Sequence, residues 1–295
     1  PPRSTRKESS AASDVYKRQL LYFIFMKIFV ISMKSYKERR EFQIRQATKL
    51  NLEISFIDAV NGSEISKEKL QAAANKWTRP IFSKDIGCYL SHRKAWEKVS
   101  KENKKCLVLE DDVIISHEIK NLIKVIDNLD DSWNTAYDLE YAPGKHVLSK
   151  KNFYKDHNNF IEIKEIYRNK TGLAAYILGP QLASKMLKDL DSYVMVDASF
   201  WSRPWAQYMQ VEPAPIVQMM HVGKETKTDE SSIRNVRDLN FINSSWLSRK
   251  FIRLKISLSE LPNIIKGFFK GERRELIYKK EEFEVNFDLL IDEKN

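Results

Sequence analysis

Cysteine is nearly absent from this chain. The two that occur in 295 residues, Cys88 and Cys106, each lie inside an apolar stretch. A disulfide-held scaffold is excluded at this size, and no Cys-x-x-Cys metal spacing exists. Both are read as buried thiols of a reducing compartment. Long apolar runs are missing too. Residues 20–31 are apolar but broken by Lys27, and at 12 residues they are too short to span a bilayer. The Met-Lys-Ser-Tyr-Lys stretch that follows is not the small-residue cleavage site that a signal peptide needs. Internal repeats and low-complexity linkers are also lacking. The polar stretch 1–19 runs abruptly into apolar residues, so residues 1–25 are read as a non-native or disordered leader, with Met26 the expected start. One main domain over 26–245 and a basic tail over 246–295 are expected.

What is present suits a folded chain: 42% hydrophobic and 11% aromatic residues, with a net charge of +10. That charge raises a nucleic-acid reading. Much of it is local, because residues 249–280 hold ten Lys or Arg against three Glu, interleaved with Phe251, Leu254, Leu258, Ile264, Ile265, Phe268 and Phe269. A basic, amphipathic segment of that kind fits an anionic membrane surface at least as well as a nucleic acid. Two short helical segments separated by Pro262 are expected there, either as a peripheral anchor or packed on the domain.

Apolar β-branched runs at 27–32, 53–57 and 106–109 read as strands, and the segments between and after them as helices: 41–50 with Phe42, Ile44, Ala47 and Leu50 on one face, 67–74, 85–101 and 116–129. Alternating strand and helix is the pattern of a doubly wound α/β sheet, in which ligands sit beyond the carboxyl ends of the strands. That rule draws together 32–40, 58–62 and 110–112. Residues 132–170 give only weak strand signals. A further strand and helix are read at 173–178 and 181–190, joined through Gly179-Pro180.

Glu110-Asp-Asp112 is the sharpest local signal. Three consecutive carboxylates repel one another, and at the end of an apolar strand they cost stability unless a cation neutralises them. In an extended segment Glu110 and Asp112 share a face and Asp111 faces away. Hard carboxylate oxygens there suit Mn²⁺ or Mg²⁺; the plainer reading is a helix N-terminal acidic triplet.

Five segments then carry a resemblance: Asp85-Ile-Gly-Cys-Tyr-Leu-Ser-His-Arg-Lys-Ala-Trp96, Leu107-Val-Leu-Glu-Asp-Asp-Val113, Val30-Ile-Ser-Met-Lys-Ser-Tyr-Lys-Glu-Arg-Arg40, Phe56-Ile-Asp-Ala-Val-Asn-Gly62 and Thr171-Gly-Leu-Ala-Ala-Tyr-Ile177. In order and spacing, over about 26–200, they resemble the family 25 glycosyltransferases of bacterial lipooligosaccharide biosynthesis. The resemblance implies a GT-A-like fold, a UDP-sugar donor (often UDP-galactose or UDP-glucose) and inversion at the anomeric carbon. At Val196-Asp197-Ala-Ser-Phe the chain keeps the family's acid and lacks its histidine.

Roles follow as expectations. Asp112, assisted by Glu110, holds the metal that stabilises the leaving diphosphate, and His221 is a candidate late ligand. Arg39 and Arg40 reach the diphosphate through forked hydrogen bonds, or merely open a helix. Asp58, Asn61 and Gly62 lie where a nucleoside sits, or form a turn. Asp111 binds donor hydroxyls. His92 is a donor contact or a core histidine. Asp197 is the base for the acceptor hydroxyl, or a cap. The partners implied are the UDP-sugar, a lipid-linked oligosaccharide and the inner face of a bacterial cytoplasmic membrane, with no nucleic acid. The rival readings are a non-catalytic relative that binds a nucleotide-sugar or glycan, and a basic nucleic-acid-binding protein.

Overall fold

A computed structural model describes residues 26–73, 76–156, 161–168, 171–189, 195–222, 245–284 and 286. The expected leader, residues 1–25, lies outside them. The first strand, β1 (Lys27–Ser32), pairs in parallel with both β2 (Ile54–Asp58) and β3 (Cys106–Glu110). Their side chains alternate between two cores. Phe29, Ile31 and Val108 enter one; Ile28, Val30, Leu107 and Leu109 enter the other. Burial on both faces is why β1 and β3 read as continuous apolar segments; β2, at the sheet edge, fully buries only Ile57.

Helices cover each face. On one side lie α3 (Ser83–Val99), α5 (Pro180–Asp189) and α6 (Val196–Phe200), which follow α1 (Lys37–Lys49) and α2 (Lys67–Ala73) in chain order. On the other lies α4 (Ile119–Asp127), whose Ile119, Leu122, Ile123 and Ile126 are buried at helical spacing. The fold class is thus α/β and compatible with a GT-A-like domain.

The sheet is larger and more mixed than the sequence pattern indicates. Residues 132–170, read only as weakly extended, supply β5 (Thr135–Asp138), β6 (Glu140–Tyr141), β7 (Lys145–Asp156) and β8 (Ile161–Arg168). With β9 (Ala175–Leu178), β10 (Gln207–Glu212) and β12 (Gly271–Glu275), the nine-stranded order is β12-β7-β8-β10-β5-β9-β3-β1-β2. The β7–β8 hairpin carries register shifts. Such irregularities break the two-residue alternation by which strands are recognised. A separate small sheet, β4-β11-β6, joins β4 (Val113–Ile115) to β11 (Ile216–Gln218) and β6.

Two local expectations are corrected. The buried face of α1 is Arg39, Phe42, Gln43, Gln46 and Ala47, while Ile44 is 49% exposed. Polar partners, described below, hold the helix by its glutamines. The tail is one helix, α7 (Trp246–Lys270), which runs through Pro262. Proline removes one backbone donor, but the helix packs against β7 and β8. At Gly267 an added Cβ would meet Val147 Cγ1 at 3.1 Å and Tyr167 Cβ at 3.2 Å. The chain then returns as β12 to pair with β7, so the segment after the helix is part of the main sheet.

Backbone approaches backbone closely where α3 crosses the 3₁₀ turn at Gly62–Glu64. A Cβ on Gly87 would lie 2.9 Å from the Val60 carbonyl oxygen and 3.1 Å from Gly62 Cα. Alanine is the better helix former by about 1 kcal/mol, yet backbone cannot retreat as a side-chain tip can. Gly87→Ala is therefore expected to lose a net 1–2 kcal/mol or so, read as a lower thermal midpoint; an unchanged or higher midpoint would contradict this packing.

Candidate active site

The carboxyl ends of β1, β2 and β3 open on a cavity of about 170 Å³, lined by Ser32, Arg39, Cys88, His92, Glu110 and Asp112 among others. A larger hollow of about 430 Å³, lined by Lys104, Lys105, Asp131 and Trp133, lies at the opposite end of β3. The smaller one is the candidate site, because only there do strand ends, acids and the loops 32–40 and 58–62 converge.

Strand β3 ends at Glu110, and Asp111-Asp112 form the turn into β4. Strand alternation therefore stops at Glu110, and each acid finds its own surroundings. Asp111 is buried under α1, where Arg39 Nη1 donates to its Oδ1 at 3.0 Å. Burial still raises its pKa, against the pull of Ser32 and Arg39. This arginine and this acid, expected to meet the donor, meet each other. Behind them, Gln43 Nε2 donates to the carbonyls of Asp111 (3.0 Å) and Val113 (2.8 Å). Gln46 accepts from the Ile115 N–H at 2.8 Å and donates to the Val113 carbonyl. The acidic turn is thus clamped by two glutamines that sequence reasoning did not single out; polar residues on the face that also carries Phe42 and Ala47 were the available signal.

Asp112 has no cationic partner in contact. Its Oδ1 is buried and makes no hydrogen bond. Burial, then the charge of Glu110, drive its pKa up to about 7, while Arg39 and a hydrogen bond with Gln218 pull the other way. Gln218 stands opposite Val113 in the small sheet. Asp197, on the short helix α6, is raised by burial and by Glu110, and lowered by His92. The structure therefore brings Asp197, the expected base, into the field of the β3 acids. Glu140, which the sequence does not single out, is buried; its Oε2 accepts from the Ala174 N–H at 2.8 Å. Burial and Asp138, with smaller contributions from Glu110 and Asp112, raise its pKa well above the usual carboxylate range. Gly172 has φ +82°, and a Cβ there would lie 2.8 Å from Glu140 Oε2. That explains a glycine in the Thr171-Gly segment.

His92 is buried and bonded at both nitrogens, at 3.0 Å from the Tyr176 hydroxyl and 3.1 Å from Glu110 Oε1. Trp96 Nε1 donates to the same hydroxyl at 2.9 Å. One helical turn before His92, Cys88 is half-buried and lines the cavity, so the expectation of a buried thiol holds for Cys106 alone. Arg40 donates to the Ser32 carbonyl and to Asp58 Oδ1, both at 2.7 Å, which holds the Asp58 carboxyl below its ordinary pKa. Asn61 Oδ1 accepts from the Ser63 N–H at 3.0 Å, and Gly62 packs on the start of α3. These two build the turn rather than line the cavity. His221 stands edge-on to Tyr141, and burial alone lowers its pKa.

An α/β protein that gathers several carboxylates in a cleft at the carboxyl ends of parallel strands has the layout of an enzyme that binds its ligand there. The sequence profile of glycosyltransferase family 25 (LPS biosynthesis protein) matches residues 25–201, more than half of the chain, and the chain belongs to that family of glycosyltransferases. Among curated relatives, it is 33% identical over 127 residues to human procollagen galactosyltransferase 2, covering 38% of this chain and 20% of that protein. It is 29% identical over 186 residues to a glycosyltransferase 25 family member of Aedes aegypti, covering 58% of this chain and 29% of that one. The matched region is thus less than a third of either relative.

The raised pKa of Asp112 has a consequence for stability. Its ordinary value is 3.8 and its folded value about 7, so the folded state holds a proton that the unfolded chain releases. Stability contributed by that proton is fully present below 3.8 and is lost as pH rises from there through about 7. In EDTA, the gain in thermal midpoint of Asp112→Asn over wild type is expected to be larger at pH 8 than at pH 5; an equal gain would show an ordinary carboxylate.

Proposed function

We propose that this glycosyltransferase moves a hexose, galactose or glucose, from a UDP-sugar to a lipid-linked lipooligosaccharide or lipopolysaccharide acceptor, with inversion and with Mn²⁺ or Mg²⁺. The observation that carries the reading is the buried, unbonded Oδ1 of Asp112 beside Glu110. A hard divalent ion fits those oxygens, with diphosphate oxygens and water completing its shell. Bound there, it would supply Lewis-acid stabilisation of the charge that develops on the leaving diphosphate. Galactose is favoured by the name of the human relative.

The chain's own residues then divide the work. The Arg39–Asp111 pair and the two glutamines fix the turn, so that Asp112 and Glu110 are held in place before donor arrives. His92, anchored by Tyr176, sets the direction of Glu110. Asp197 takes the proton from the acceptor hydroxyl, and its raised pKa makes it a better base than an exposed aspartate. His221 remains a candidate late ligand through its place after Gln218.

UDP release from a panel of UDP-sugars tests this. Release with one preferred sugar is expected with Mn²⁺, abolished by EDTA and cut at least about a hundredfold in Asp112→Ala. UDP binding without release, even with a crude lipooligosaccharide, would favour a non-catalytic relative.

The membrane partner is read from α7. Leu247, Phe251, Leu254, Leu258, Leu261, Ile265 and Phe268 are all exposed, at alternating spacings of four and three, on the side away from β7 and β8. Exposed Lys250, Arg253, Lys255, Lys266 and Lys270 flank them, and the helix's only acid, Glu260, is half-buried. A parallel pairing with a second copy would oppose Lys250 and Lys255, which are like charges. An anionic lipid surface accepts both the apolar stripe and its basic margins, which supports a peripheral location on the inner face of a bacterial cytoplasmic membrane. Among the described residues, no helix is long and apolar enough to cross one. Because β12 follows α7 in the sheet, substitution is a cleaner test than truncation. Phe251→Ser with Leu258→Ser is expected to weaken sedimentation with phosphatidylglycerol vesicles about tenfold or more, with the thermal midpoint unchanged. Wild type that ignores anionic vesicles, or that dimerises through these residues, would overturn the reading.

A further inference from the structure

Three donor atoms of a different character meet on one wall of the cavity. Cys88 and His92 stand one turn apart on α3, so their side chains project from the same face. Glu110 reaches them from the end of β3. The Cys88 Sγ, a His92 ring nitrogen and a Glu110 carboxylate oxygen all lie within 4.8 Å of one another, and no other such group of three or more occurs among the described residues. Asp112 is not a member. A hydrogen bond between His92 and Glu110 accounts for two of the three donors; it does not account for a thiol turned to the same point.

Bond lengths to zinc of about 2.0–2.3 Å place the ligand atoms of a tetrahedral site roughly 3.3–3.7 Å apart. The His92 Nε2 to Glu110 Oε1 separation of 3.1 Å is already close to that. Small side-chain rotations would close the remaining gap to Cys88. The second shell is in place too: Tyr176 holds the far nitrogen of His92 at 3.0 Å, which fixes the ring with Nε2 toward the cavity. The Tyr176 oxygen has acceptor capacity for both His92 and Trp96. Glu110, Asp197 and Asp112 keep the field at the thiol negative, which favours a cation, while Asp85 is held by Arg79.

We propose that Cys88, His92 and Glu110 form a site for a borderline-soft divalent ion, zinc, with a fourth position left to water. Thiolate and imidazole select zinc over the hard ions that suit carboxylates alone. The site shares Glu110 with the proposed transfer centre. Zinc bound here engages the carboxylate on which a hard ion beside Asp112 also depends, so the two occupancies oppose each other.

The test is an absorbance titration of the reduced, metal-depleted full chain with Co²⁺, which needs no turnover and so stands or falls separately from the transferase assay. A thiolate-to-cobalt charge-transfer band should grow to one equivalent, be displaced by Zn²⁺ and resist Mn²⁺. Cys88→Ser should abolish the band and weaken zinc binding by about tenfold or more. Cys106→Ser, which keeps the site, should retain the band. Absence of the band in wild type, its survival in Cys88→Ser, or its loss in folded Cys106→Ser would each overturn the proposal.

Discussion

Negative charge held out of water at the end of β3 is the constraint around which the rest of this molecule is arranged. Glu110, Asp111 and Asp112 would repel one another in any compact chain, and each has a separate answer. Asp111 takes a buried arginine, Glu110 a buried histidine, and Asp112 keeps an oxygen with no partner. A buried ion pair such as Arg39–Asp111 contributes little net stability, since desolvation offsets most of its attraction. Its value is positional: it ties α1 to the turn. The glutamines on the same helix complete the attachment through backbone carbonyls, so the turn cannot relax without undoing the helix contact.

The same constraint explains why α3 presents neutral polar groups to the cavity. A cationic side chain beside Glu110 would have neutralised the acid outright. An imidazole oriented by Tyr176, itself bonded to Trp96, holds the carboxylate and leaves the local field negative. That field extends to Asp197 and Glu140. A chain with a net charge of +10 therefore has an acidic centre, and half of its basic excess, six Lys or Arg against one Glu, lies on α7. The global charge pointed toward nucleic acid or membrane; the local charge describes the chemistry.

Legibility in the sequence followed the physics of burial. Strands β1 and β3 were readable because they are covered on both faces and so carry unbroken apolar runs, and β2 because its Ile54, Phe56 and Ile57 still pack on the cores. The irregular β7–β8 hairpin, the short β6 and β11 and the edge strand β12 were not, because bulges, short length and exposed edges erase the alternation; β10, though central and buried, sets Gln207, Gln210 and Glu212 into its apolar run. Within the site, Glu110, Asp112, Asp197 and His92 were identified from motif and position. Glu140 was missed, because nothing local marks it; it reaches the site only because β11 bridges β6 to β4.

The sequence by itself determined the α/β class, the family, the acidic strand end and the amphipathic basic tail, since each is written in residues close together along the chain. Tertiary structure alone decided which acid is paired and which is left open. It also decided that Arg39 and Arg40 turn to Asp111 and Asp58, that Cys88 faces His92 and Glu110, and that the tail's end closes the sheet. These outcomes depend on which groups share a low-dielectric space and compete for the same partners. Such competition is set by contacts between distant segments, and no local pattern encodes its result.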